Sequence, residues 1–514
     1  MEKFLLCFIL FIFEGFAFGQ MNIDLGKWSQ QANKGKHQGF VMADSNYVYS
    51  IDFSNNNFRN EQKLIAKVYD KKSLEFQNSF DIAPEKKDGS DIELVQIFSI
   101  HQTMVLVMVE NLKDQPKEKR ILLQLIRSNG SRDAPIIADT LPSQQNVNED
   151  FQVVVDKNET GFVICTNYPV SLDHNQKLKI TAFNPDLNQK WNKSVVFPNK
   201  EKQYIFTDWR YDGGTKVFFL SRHIIDMYQA DMEFSTLSQN TYFLWGYNYT
   251  QDKLKEIELS LNQRFIHKIT IEQDDNRWLV AGVFANDKNF HSDGVFNLIL
   301  DSVWGVVSHK IYNFTEEESH NYAQFTDPKS THKGIDEIQL TNIIGLQNGE
   351  FVLIGEEFFK EITEPNDGRM SPSNFTEVFH YQNISLFWFE TNGNLKGIYC
   401  IPKNQISTND AGEYSSFALA HDEHNIYFFF NDHSKNLSAE RPNELNPKPL
   451  SGFRKMYVKG VQINNKGVIH NKAVYTSSRR VRIKPKSGNQ MLDHSVYFLA
   501  QKKRKNALLR VHFQ

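Results

Sequence analysis

The chain has 514 residues with a formal net charge of only -3 and a pI near 6.6. A dedicated nucleic-acid binder would carry a large basic excess, so that class is excluded. Hydrophobic residues make up 40% of the chain and 41 are Phe, which excludes a disordered chain and leaves room for a large core.

The N-terminus reads as a secretory leader over residues 1–19. Lys3 opens it, Phe4 to Phe13 is apolar throughout, and Ala17-Phe18-Gly19 sets small residues at the positions a signal peptidase reads. Cleavage before Gln20 is expected, giving a secreted, periplasmic or cell-surface protein. The apolar run is too short to span a bilayer, and no later run reaches eighteen apolar residues, so a membrane-spanning chain is not expected. After the leader only Cys165 and Cys400 remain, each inside an apolar run, and free buried thiols are the default reading.

From Val41 onward one pattern recurs. An apolar run meets a polar tip and is followed by a stronger, aromatic-rich run. The pairs fall at Ala43/Tyr47, Ile97/Met104, Val155/Phe162, Trp209/Val217, Ile271/Trp278, Leu346/Phe351 and Leu419/Ile426, with a last one leading into Val496. The second member is apolar without a break, as in Met104 to Val109 or Ile426 to Phe430, which suits a strand buried on both faces. Most copies are followed by a second hairpin with turn chemistry at its tip, such as Asn184-Pro185-Asp186 or Thr391-Asn392-Gly393-Asn394.

Two hairpins per repeat make a four-stranded antiparallel sheet, and eight such sheets in tandem must stack to bury their faces. Radial stacking gives a β-propeller, with about 62 residues per repeat against the usual 40 to 50. The expected fold is therefore all-β: one propeller of eight four-stranded blades over residues 20–514. The last repeat, ending near Val511, is one strand short. The segment Ile23 to Trp28 has no partner of its own and is expected to complete that blade as its outer strand. The alternative is a ring of seven. This strand grammar resembles secreted bacterial β-propeller repeat proteins over the whole mature chain, without the motif of any named family.

Propeller topology places the connection between second and third strands on the same face as the crossover to the next blade. The long polar segments 223–240, 316–337, 358–383 and 433–453 are of those two kinds, so they gather on one rim. Residues leaving the second strands would line the channel mouth there: Asn167, Arg222, His223, Glu356, Glu357, Asp432 and His433. Such a mixture suits a polar polymer, a peptide or a protein ligand. The favoured expectation is a monomeric, non-enzymatic binding propeller without cofactor or metal. The alternative is an extracellular polysaccharide hydrolase or lyase, pairing Glu356 with Asp432; Glu356 and Glu357, being adjacent on a strand, point to opposite faces and do not form that pair.

Three further features have plainer readings. His421-Asp422-Glu423-His424 has metal-ligand residue types but sits on a hairpin tip, where turn chemistry explains it. The basic stretches 479–486 and 502–505 read as solvated, edge-protecting charge. Asn-x-Ser/Thr sequons occur at Asn192, Asn313, Asn374, Asn383 and Asn436.

Overall fold

The computed structural model describes residues 21–513, except 31–35, 57–60, 85–89, 113–117, 143–150, 169–174, 199–202, 225–240, 275, 287–290, 320–334, 336–337, 364–375, 411, 437–446, 453–455, 476–480, 492–493 and 503–504. The leader over 1–19, most of the four long rim segments and the sequon at Asn374 lie outside the described residues.

Eight antiparallel sheets follow one another along the chain. Blade 1 is Lys36–Ala43, Tyr47–Asn56, Glu61–Asp70 and Phe76–Asp81. Blade 2 is Ser90–Ile100, Thr103–Leu112, Glu118–Ile126 and Ile136–Pro142. Blade 3 is Phe151–Val155, Phe162–Tyr168, Lys177–Phe183 and Gln189–Val196. Blade 4 is Gln203–Tyr211, Lys216–Ile224, Thr241–Asn248 and Lys253–Leu259. Blade 5 is Phe265–Asp274, Arg277–Ala285, Gly294–Asp301 and Val306–Asn313. Blade 6 is Ile338–Gly345, Phe351–Thr363, Thr376–Phe389 and Leu395–Ile401. Blade 7 is Ala418–His421, Asn425–His433, Met456–Asn464 and Ile469–Tyr475.

Blade 8 is built from both ends of the chain. Ser495–Lys502 pairs with Lys505–Phe513, and Met21–Leu25 lies outermost with Ile23 opposite Val511. The ring has eight blades, and the N-terminal strand closes it. The inner strand of blade 8 is split into Val481–Arg482 and Asn489–Gln490 around a 3-10 turn at Pro485–Ser487. Pro485 has no N–H to give a ladder, so the strand stops there and a turn takes its place.

The unbroken apolar second strands are explained by period two. Successive side chains point to opposite faces, and each face packs on a different neighbour. In blade 4, Val217 and Phe219 join the core shared with blade 3, while Phe218 and Leu220 join the core shared with blade 5. In blade 7, Ile426, Phe428 and Phe430 face blade 6, and Tyr427 and Phe429 face blade 8. The hydrophobic core is thus a ring of separate clusters lying between blades. Trp245 is 1% exposed in the cluster between blades 3 and 4, and burying a side chain of that size contributes about 3 kcal/mol.

Four of the tips joining first to second strands, in blades 1, 3, 4 and 7, are capped alike. Asp44, Asp156, Asp212 and Asp422 each accept backbone N–H bonds from residues two to five positions on. In blade 4 the turn also needs Gly213, whose φ of 78° an L side chain rarely adopts. Propeller connectivity puts these tight tips on the face opposite the rim that carries the long segments.

Candidate functional site

Blade 6 departs from its neighbours at the rim. Its second and third strands run 13 and 14 residues. The inner strand accompanies the second only as far as Glu357, where the register with the third strand shifts between Glu356 and Phe358. Beyond that point Phe358–Thr363 and Thr376–Tyr381 continue as a two-stranded ribbon. After Ile401 the chain turns back through Pro402, Lys403 and Asn404. Gln405–Thr408 then pairs with Val378–Tyr381 on the ribbon, and Leu450–Ser451 adds to it in parallel.

This return carries Lys403 into the interior, where it is 1% exposed. Its Nζ lies 2.6 Å from Glu356 Oε1 and donates to Gln405 Oε1 at 3.1 Å. Ser416 Oγ donates to the other oxygen of Glu356 at 2.6 Å, and its backbone N–H to Gln405 Oε1 at 2.7 Å. Ser416 holds a φ of 69°, a strained conformation for a non-glycine residue, in making both bonds. Gln405 Nε2 donates to the Asn431 carbonyl. Asn431 in turn bonds the backbone of Tyr414 and both polar groups of Ile483. The network therefore runs from blade 6 through blade 7 to the split inner strand of blade 8.

Burial pushes the Lys403 ammonium below its usual 10.5, opposed by Glu356 and then by Asp432 and Glu357. A buried ion pair of this kind persists because every partner is hydrogen-bonded; removing one member strands the other's charge. Glu357 accepts from Asn383 Nδ2 at 3.2 Å. Asp432 accepts from the His433 N–H and from Asn436 Nδ2, both at 2.7 Å, and has Lys459 Nζ at 3.5 Å.

The rim residues named from sequence fall into two groups. Glu356, Glu357 and Asp432 act on Lys403, with His433 next in the chain to Asp432, at exposures of 4%, 2%, 1% and 6%. Of these, Glu356 bonds outside its own blade, to Ser416, while Glu357 and Asp432 bond within theirs, and none of these carboxylates opens to solvent. Glu356 makes the ion pair with Lys403, whereas Glu357 bonds Asn383 and reaches Lys403 only through its charge. Asn167, Arg222 and His223 lie some three blades away around the ring. Asn167 accepts from Gln176 Nε2, and Gln176 also bonds both backbone groups of Tyr204 in the next blade. Arg222 is half-buried opposite Tyr242, with no hydrogen bond to its Nε among the described residues, and His223 packs near Tyr204.

Of the basic 479–486 stretch, read from sequence as solvated charge, Lys486 and Arg482 reach toward the surface here, while Lys484 is buried. Lys486, on the 3-10 turn of blade 8, is exposed; its Nζ donates to Tyr381 Oη at 2.6 Å and stands 4.4 Å from that ring's centroid. Arg482 lies 4.0 Å over the Tyr414 ring, and Lys484 pairs with Glu413 at 2.6 Å. Burial lowers the Lys486 ammonium; Glu356 and Asp410 raise it and Lys403 lowers it further, while burial raises Tyr381 to about 12. The sequence did signal these residues as part of the basic 479–486 stretch, but gave no sign that Tyr381 and Tyr414 lie beneath them.

His421 to His424 forms the tip of the first hairpin of blade 7. Asp422 there accepts the N–H groups of His424 and Asn425 and the Tyr427 hydroxyl, which is turn chemistry. Among the described residues no group of three or more His, Cys, Asp and Glu is placed to hold a metal ion, and no helix is long and apolar enough to cross a membrane. Cys165 and Cys400 are both free thiols. Asn383 is 1% exposed, whereas Asn192 and Asn313 lie exposed on outer strands.

These features define an eight-bladed β-propeller closed by its N-terminal strand, with a buried polar network under one sector of the rim. No protein-family model and no curated protein matches the chain. Among solved structures it is similar to the β-propeller domain of the Trilobed protease from Pyrococcus furiosus, at 7% identity and TM-score 0.37, covering 86% of this chain and 97% of that one. It is also similar to the WD40 domain of SCAP from fission yeast, at 9% identity and TM-score 0.35 over 96% and 98% of the two chains. A third is the polysaccharide lyase Uly1, at 9% identity and TM-score 0.35 over 81% and 89%. With scores this low, the eight-bladed assignment stands on this chain's own strand order and closure.

Proposed function

We propose that the chain is an exported, non-catalytic propeller that binds a carboxylate-bearing polymer at the rim of blades 6 to 8. The single observation that carries this reading is the sorting of charge there. The carboxylates Glu356, Glu357 and Asp432 are buried and satisfied, while the cations Lys486 and Arg482 sit over tyrosine rings nearer the surface. A cation held on an aromatic face presents directed donors to an incoming carboxylate, and the ring gives the rest of the ligand a surface to pack on. The same sorting weighs against a hydrolase or lyase that pairs Glu356 with Asp432, since an acid and a nucleophile or base must both reach the substrate. Export rests on the apolar run Phe4 to Phe13 and the small residues that follow it.

The test is calorimetric binding of polygalacturonate beside its fully methyl-esterified form. The acid form is expected to bind, more weakly as salt rises, and Lys486→Ala with Arg482→Ala to weaken it by about tenfold without lowering the melting temperature. Equal binding of the ester, or indifference to both substitutions, would overturn the reading. Turnover of the polymer that is abolished by Glu356→Gln would replace it with the hydrolytic alternative. A secreted product beginning at Gln20 is the expected result for export, and an intact Met1 in the mature protein contradicts it.

A further inference from the structure

We infer that Trp28 and Lys502 form a second anchoring subsite for the same acidic polymer, at the rim of blade 8. This rests on the rim-binding reading and adds where the far part of the ligand is held.

Among the described residues, seven lysines hold their ammonium over an aromatic ring. Five of the seven are neutralised where they stand: Lys360 by Glu377, Lys396 by Glu350, Lys403 by Glu356, Lys459 by Asp432 and Lys484 by Glu413. Lys486 and Lys502 are the two with no carboxylate within ion-pair distance among the described residues. Lys486 already serves the proposed site over Tyr381. Lys502 stands 5.6 Å over the Trp28 ring, and both residues are half-buried. A cation set on an aromatic face without an internal acid keeps its charge for an external one.

The two cations belong to one continuous stretch of rim. Arg482, four residues before Lys486, lies opposite Gln501 on the neighbouring strand, and Val481 lies opposite Lys502. The Gln501 side chain accepts from Tyr414 Oη at 2.9 Å, and Tyr414 is the ring beneath Arg482. Beyond Lys502 the third strand begins with Lys505 opposite it, and Gln30 pairs with Lys505 two residues after Trp28. From the inner strand that carries Arg482 to the outer position of Trp28 is three strand spacings, about 14 Å. The path thus leads from the channel mouth outward across the top of blade 8, with rings at Tyr381, Tyr414 and Trp28. Of the acids near it, Glu356 and Glu413 are taken by Lys403 and Lys484, and Asp410 caps the Gly412 N–H. A single sugar acid does not span that distance. A polymer can engage both anchors, and its second contact is then intramolecular. Trp28 comes from the segment that closes the ring, so closure also completes the subsite.

Calorimetry with galacturonate oligomers of increasing length, from the dimer to the polymer, tests this. Affinity is expected to climb by about a hundredfold between the dimer and oligomers long enough to reach both anchors, and then to level off. Lys502→Ala is expected to weaken the long oligomers by about tenfold and the dimer by about twofold at most, with the melting temperature unchanged. Lys486→Ala is expected to weaken the dimer and the long oligomers alike. Trp28→Phe keeps a ring beneath Lys502 and is expected to lose less affinity than Trp28→Leu. Trp28 also packs on the core between blades 7 and 8, so Lys502→Ala is the deciding variant. Affinity that does not depend on length overturns the second subsite and leaves the first. So does a Lys502→Ala variant that binds long oligomers as the parent does, or one that weakens dimer and polymer equally. Failure of every length to bind removes the rim-binding reading and the second subsite together.

Discussion

The interface between blades 3 and 4 and the one between blades 8 and 1 do the same job by different means. The first is a dense aromatic cluster that includes Trp191, Trp209, Trp245, Phe197 and Phe219, with Phe197 and Trp245 edge-to-face at 4.8 Å. The second is a smaller set around Phe40, Tyr69, Tyr497 and Leu508. Its neighbourhood is secured by pairing of the chain's two ends, with the Arg510 guanidinium on Asp24 at 2.6 Å and on the Lys71 carbonyl at 3.0 Å. Interior blades have their neighbours tethered by the chain on both sides, so packing alone decides their contact. The closing pair comes from opposite ends of the sequence and must offset the entropy of closing the whole ring, and backbone pairing supplies directional bonds for that.

The contrast can be broken by experiment, the largest effects first. Trp245→Ala should cost about 3–5 kcal/mol of stability, read as a lower denaturation midpoint, because it empties a rigid aromatic cluster. A loss under 1 kcal/mol would mean that the cluster repacks and that packing does not dominate there. Glu356→Leu should cost a comparable amount, about 3–5 kcal/mol, by stranding the Lys403 charge. The double variant with Lys403→Met should recover most of it, and no recovery would show that the pair's hydrogen bonds to Ser416 and Gln405 matter more than its charge. At the closure, Asp24→Asn should cost about 0.5 kcal/mol or less, since Asp24 is 42% exposed and screened by solvent, and the loss should vanish in high salt. Hydrogen exchange gives the sharpest comparison: amides of Asn22 and Asp24, which face the last strand, should exchange well before those of Phe219 and Leu220, and equal protection would mean the ring opens only globally.

A smaller effect should appear with pH. Burial pushes the Glu350 carboxyl up, but hydrogen bonds from Lys396, Trp388 and Asn348 outweigh it and hold the group below 4.5. Its folded value is thus the lower one. The stability it contributes is complete above the unfolded value and is lost as pH falls through the folded value. Glu350→Gln should flatten that part of an acid denaturation profile, and an unchanged profile would assign the acid sensitivity to other carboxylates.

Much of the ring was legible because each second strand feeds two cores at once. That requirement removes polar residues from both faces and leaves an unmistakable run such as Ile426 to Phe430. The closing strand was legible from an imbalance, since one repeat lacked a strand and Ile23 lacked a partner. The shared Asp at the hairpin tips was also on view in the sequence, at Asp44, Asp156, Asp212 and Asp422, though its regularity emerged only with the turns in place. The rim was far less legible. Asn167, Arg222 and Asp432 leave strand ends as expected, but the pattern of a strand does not say whether its end faces solvent or the next blade. Lys403 carried no signal at all, because its burial depends on a turn at Pro402 and on a glutamate almost fifty positions earlier.

The sequence by itself determined the repeat and the class of fold, because those follow from local periodicity, while the choice of eight blades over seven waited on the pairing of Met21–Leu25 with the last strand. Only the tertiary structure decided which charges meet. Glu356 with Lys403, and Lys486 with Tyr381, depend on how blades 6, 7 and 8 overlap at the rim. Burial there sets the energy of each charge, and burial is a property of neighbours that the chain order does not record.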